Sequence, residues 1–136
     1  MEKITPRAVV PPPTIVVLTR WLDRASELPL ASWVTALEAW TEIPTETWFA
    51  ADRALTAAID AAGWRSVRET AARRARAAAD PIAWITSRYP VAADAVHIIA
   101  TGAVLALLAG DRSDPAHAEV LYRPFASVIP LASLDE

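Results

Sequence analysis

The sequence predicts an all-α fold: a compact single-domain bundle of about six or seven helices around one buried central helix at about 91–109. Three observations carry this. Apolar residues recur at helical spacing in segment after segment, and prolines with a few glycines punctuate those segments. The run from Val91 to Gly110, VAADAVHIIATGAVLALLAG, is apolar on nearly every face, as a helix buried on all sides must be. No strand signal competes, because the β-branched runs are short and lack hairpin turns.

Taken in order, residues 1–13 read as an irregular Pro-rich arm, since Pro6, Pro11, Pro12 and Pro13 disfavour helix and central strand alike. Residues 14–136 form the helical domain. Thr14 is the expected N-cap of a first helix at about 14–27, with Ile15, Leu18, Leu22 and Ala25 inward and Trp21 alongside. Arg20, Asp23, Arg24 and Glu27 are expected to face water. After Pro29 a second helix runs to about 41, where Leu30, Trp33, Leu37 and Trp40 make an apolar stripe. Pro44 separates it from a third helix at about 45–62, built on Trp48, Ala51, Leu55, Ile59 and Ala62, with Phe49 on a neighbouring line and Gly63 in the C′ position.

Ser66 to Glu69 fits a capping box and opens a fourth helix at about 66–79, lined inward by Trp64, Val67, Ala71, Ala75 and Ala78. Asp80-Pro81 reads as N-cap and N1 of a short fifth helix containing Ile82, Trp84 and Ile85, closed by Pro90. In the central helix, Ala95, Gly102, Ala106 and Ala109 share a small-residue stripe where a neighbour can approach closely. A turn through Asp114-Pro115 starts a seventh helix at about 115–122. Pro124 and Pro130 bracket a short turn, and the last few residues are expected to fray.

Composition narrows the chemistry. With 136 residues the chain can bury a real core. The hydrophobic fraction of 54%, mean hydropathy of +0.25 and six Trp are high for a small monomer, which points to a homo-oligomer, with a protein partner as the other occupant of the excess apolar surface. The chain has no Cys, hence no disulfide or thiolate chemistry, and its first residues lack a continuous apolar leader, so the expected location is cytoplasmic. Its three Gly, at 63, 102 and 110, are too dispersed for a phosphate-cradling or dinucleotide loop. No cofactor or metal is expected, and His97 and His117 are too few for a His-rich metal site. The central run is interrupted by Asp94, His97 and Thr101, so no membrane span is expected.

The net charge of −3 conceals a segregation. Residues 1–62 carry five basic and eight acidic side chains, residues 63–90 carry six Arg against Glu69 and Asp80, and residues 91–136 carry two Arg against six acids.

Four constellations could carry function. Asp94, His97 and Thr101 lie at i, i+3 and i+7, where Asp94 could charge and orient the imidazole as a base or ligand anchor. The structural alternative has Asp94 serving the helix dipole and pairing with His97, while Thr101 bonds a carbonyl one turn back. Trp33, Trp40 and Trp48 could line an apolar pocket with that trio, or simply fill the core. Arg65, Arg68, Arg73 and Arg76 share a broad sector that could meet phosphates or a partner's acids, or be a solvated face. Glu38, Glu42 and Glu46 form an acidic ridge able to complement that Arg helix in a neighbouring subunit.

Three functions follow from these. The first is a non-enzymatic interaction or regulatory protein acting through an oligomeric helical surface. The second is a small-molecule-binding domain or unusual enzyme with a Trp-lined pocket anchored by Asp94 and His97. The third is nucleic-acid binding through the Arg65–Arg76 helix, disfavoured by the acidic total charge and the lack of base-reading side chains.

Overall fold

The computed structural model describes residues 9–85, 90–109 and 112–135. Among them the chain forms six α-helices and two 3₁₀ turns, with no strand. The helices are α1 (Pro12–Glu27), α2 (Leu30–Thr41), α3 (Thr45–Ala61), α4 (Arg65–Ile85), α5 (Pro90–Ala109) and α6 (Pro115–Tyr122); the 3₁₀ turns are Arg123–Phe125 and Leu131–Leu134. The all-round apolarity of α5 has the consequence expected of it, since α5 packs against α1, α2, α3, α4 and α6. Val96, Ile99, Ala100, Ala103 and Val104 are wholly buried along it.

The small-residue stripe of α5 receives an aromatic ring as well as a helix backbone. A Cβ at Gly102 would stand 2.6 Å from Cζ2 of Trp48, and 3.6 Å from the Leu121 carbonyl oxygen of α6. Glycine here is a packing requirement: it lets the α3 indole approach the central helix closely. Trp48 is in turn met edge-on by Trp40, with ring centroids 6.0 Å apart.

α4 and α5 run antiparallel, with two cross-links fixing the direction. His97 Nε2–H of α5 donates to Asp80 Oδ1 of α4 at 2.7 Å. At the opposite end the Arg112 guanidinium, just beyond α5, lies over the Trp64 ring before α4, 4.5 Å from its centroid.

A second aromatic cluster closes the bundle beneath α1 and α2. Phe125, in the first 3₁₀ turn, meets Trp21 at 5.2 Å and Trp33 at 5.6 Å, both edge-to-face, and Tyr122 at 6.4 Å. The Tyr122 hydroxyl donates to the Ile129 carbonyl, and burial pushes this phenol above its ordinary range. Such pairs stabilise by about 0.5–1.5 kcal/mol beyond their area, so this turn is a core element.

Several local expectations are met. Gly63 takes φ 82°, its N–H bonds Asp60 O and the Trp64 N–H bonds Ile59 O, a full Schellman closure of α3. Asp114 caps α6 by accepting from the Ala116 N–H at 2.9 Å. The buried residues of α3 are Trp48, Ala51, Leu55 and Ile59, while Phe49 and, on α2, Leu30 remain partly exposed.

Others are corrected. α1 begins at Pro12, within the predicted arm, because prolines in a first turn forgo only N–H groups that have no partner anyway; Thr14 is then inside the helix and caps nothing. Residues 1–8 lie outside the described residues. The capping box does not form, since α4 starts at Arg65 and Glu69 pairs with Arg65 at 3.3 Å.

α4 does not stop at Asp80 but continues through Pro81 to Ile85, so the predicted fourth and fifth helices are one. Ala77, whose carbonyl loses its helical donor to Pro81, is exposed to water, and Ala71, Ala75, Ala79, Ile82 and Ala83 continue one buried face across the proline. The predicted helix end at Pro90 and the stop at Gly110 involve residues 86–89 and 110, outside the described residues.

The tail is anchored rather than frayed. Leu134 is fully buried, Arg20 Nη1–H donates to its carbonyl at 2.7 Å, and Arg24 donates to Ser133 Oγ. Those two arginines are therefore half-buried, whereas Asp23 and Glu27 do face water.

Candidate functional site

The aromatic and polar candidates are not brought together. Trp33 is wholly buried against Phe125, and Trp48 is pressed on Gly102. Trp40 and Trp48 line a cavity of about 220 Å³ with Ile43 and Phe49. Asp94, His97 and Thr101 line none of the five best-defined cavities among the described residues.

The polar streak of α5 is divided among structural tasks. Asp94 is exposed at the helix start. His97 takes Asp80 as its partner in place of the expected Asp94. The Thr101 hydroxyl donates to the carbonyls of His97 and Ile98, at 3.0 and 3.1 Å, as a satisfied intrahelical group does. The pairing with Asp80 was invisible in sequence because the two residues meet only through the antiparallel packing of α4 on α5.

The arginines of α4 are gathered more closely. Arg68, Arg73 and Arg76 line one groove of about 260 Å³ with Glu69 and Ala72. Arg65 is committed to Glu69 and Arg68 to Asp60 at 3.2 Å. Asp52 lies close enough to feel Arg53 and Arg68, but half-burial dominates and holds its carboxyl above the usual carboxylate range. Arg73 reaches the Thr70 hydroxyl at 3.4 Å, and among the described residues neither Arg73 nor Arg76 reaches a carboxylate. The free positive charge of this face thus lies near the middle of α4.

The helix ends in the most conspicuous surface feature. Trp84 is 79% exposed and Ile85 50% exposed, whereas Trp21, Trp33, Trp48 and Trp64 are at most 2% exposed. Because α4 is continuous through Pro81, Trp84 follows Arg73 by about three turns and Asp80 by about one, on the polar face of the helix. The sequence reading placed Trp84 in a separate short helix restarted at Asp80; extending the register of Ala71, Ala75 and Ala79 through Pro81 turns Trp84 outward.

A second feature had no advance signal. α5, α6 and the C-terminal turns enclose an open cavity of about 380 Å³, walled by Ala106, Leu107, Pro115, Ala118, the Tyr122 ring and Leu131. Three alanines, including Ala126 at the edge, leave the space that larger side chains would fill. At the rim Arg123 Nε–H and Nη2–H donate to the two Glu119 oxygens at 2.9 and 2.6 Å, which holds the Glu119 carboxyl below its usual range.

Among the described residues no polar or charged residue is buried, no group of three His, Cys, Asp or Glu is placed to hold a metal ion, and no helix is long and apolar enough to cross a membrane. No protein-family model, curated protein or solved structure matches the chain.

Proposed function

We propose that this chain is a non-enzymatic interaction module that works by self-association, with the exposed end of α4 as its contact surface. The observation that carries this reading is Trp84. A buried large apolar side chain stabilises by about 1.5–3 kcal/mol relative to an exposed one, and this chain forgoes that at one indole while burying four others. Tryptophan and arginine are the side chains from which interface hot spots are most often built, and α4 exposes both. The basic run 63–90 and the acid-rich remainder of the chain supply the matching potentials. A cytoplasmic location belongs to the same reading, supported by the lack of cysteine.

Sedimentation velocity over a wide concentration range tests it. The expected result is assembly that grows with concentration and weakens as salt screens the charge. A monomer at every concentration and low salt contradicts it.

The cavity beneath α6 favours a second reading, small-molecule binding, since its volume falls within the range of ligand pockets. Native mass spectrometry of gently purified protein separates the two: a bare oligomer supports the first, and a monomer retaining an apolar adduct supports the second.

A further inference from the structure

We infer that the cavity between α5, α6 and the C-terminal turns is the receptor for Trp84 of a second copy of this chain. This rests on the self-association reading and names its two halves, an aromatic knob and the hole it fills.

The chemistry of the two surfaces matches. The cavity walls are apolar, and about 380 Å³ is room for an indole. An indole also needs an acceptor for its N–H when it is buried. Glu119 supplies one, because Arg123 donates a single bond to each carboxylate oxygen and leaves further lone pairs. Charge gives a further match: Arg73 and Arg76, on the α4 face that carries Trp84, reach no carboxylate, and Asp114 and Asp135, next to the ends of the cavity lining, make no ion pair among the described residues. Asp80 beside Trp84 and Arg20 and Arg24 at the tail act in the opposite sense.

Geometry requires that the knob and the hole belong to different molecules. The Asp80–His97 bond marks a common level on the antiparallel α4–α5 pair. Trp84 lies four residues beyond it in one direction, roughly 6 Å, and Ala106 lies nine residues beyond it in the other, roughly 14 Å. A copy therefore cannot fill its own cavity. Each copy offers one knob and one hole, so the contact is exchanged reciprocally in a two-fold dimer or repeated head-to-tail into a ring or filament.

Two single variants test this. Trp84→Ser removes the knob and leaves the hole; Ala126→Trp blocks the mouth and leaves the knob. Both positions are exposed, so the fold is spared. In sedimentation velocity, each variant alone should associate roughly thirtyfold more weakly than wild type or worse, the effect of losing a hot-spot anchor. An equimolar mixture should give a one-to-one dimer and nothing larger, because only one intact knob–hole pair remains per dimer.

A wild-type protein that is monomeric throughout overturns the self-association reading and this inference with it. A wild type that assembles while Trp84→Ser assembles equally well, or while the mixture fails to dimerise, overturns the inference alone. So does assembly indifferent to Ala126→Trp in a protein whose Ala118 and Leu131 amide resonances shift with added free indole, which would make the cavity a small-molecule site.

Discussion

Trp33 and Trp84 are the same side chain in opposite circumstances. Trp33 is sealed against Phe125, which also meets Trp21 and Tyr122, so four aromatic rings lock α1, α2 and the turn after α6 together. Trp84 stands on the polar face of α4 with most of its surface in water. The first region shows how a chain rich in alanine builds a stable interior, by surrounding a few large rings with small helical residues. The second shows what that interior does not need. An indole that contributes little to the fold is available for another molecule.

The sharpest way to break this comparison is at the hub. Phe125→Ala should cost about 3–5 kcal/mol, read as a large fall in the urea midpoint with little change in slope. A cost below about 1 kcal/mol would show that the rings do not act as one core.

Gly102→Ala comes next. The added Cβ would collide with a Trp48 ring held by Trp40, an overpacking cost of about 1–3 kcal/mol set against roughly 1 kcal/mol of gained helix propensity. Net destabilisation in thermal unfolding is expected, and a stabilised variant would mean that Trp48 moves aside freely.

Asp52 gives a smaller, pH-dependent effect. Its folded-state carboxyl sits above the unfolded value of 3.8, so the folded chain holds its proton longer and stability falls as pH rises through that interval. Asp52→Asn should therefore raise stability slightly near neutrality and flatten the part of the pH profile that lies above 3.8. A variant less stable at neutral pH would show that attraction to Arg53 and Arg68 outweighs the burial.

The smallest expected change completes the contrast. Trp84→Ser should alter monomer stability by no more than about 0.5 kcal/mol in denaturant titrations carried out at high dilution. A loss of 2 kcal/mol or more, on the scale of roughly a buried side chain, would place Trp84 with the hub after all.

Much of the fold was legible because its signals are local. Gly63 closes α3 through hydrogen bonds within one turn, Asp114 caps the helix it precedes, and the all-round apolarity of Val96 to Val104 can only be satisfied by neighbours on every side. What the sequence concealed depends on tertiary context. Pro81 is a break signal on its own, yet the buried face running from Ala71 to Ala83 carries the helix through it. The chain end looks too short to be ordered until Leu134 is seen to fill a place at the core, its carbonyl held by an arginine 114 residues earlier.

The contacts of the candidate site residues were less legible, for the same reason. Asp94 and His97 share a helix face but not a hydrogen bond, since Asp80 of α4 reaches the imidazole instead. The cavity walled by Ala106, Ala118 and Ala126 is assembled from small residues on three separate elements, and no periodicity announces it.

The central claim is that one indole faces outward for association while the others hold the fold. The most direct measurement is a ¹H–¹⁵N spectrum of the Trp indole groups as protein concentration is raised. The resonance absent from Trp84→Ser should exchange rapidly with water when dilute, then shift and gain protection as the concentration rises, while those of Trp21, Trp33 and Trp48 stay protected and unmoved. A Trp84 signal that is already protected at high dilution, or that never responds to concentration, would contradict the account.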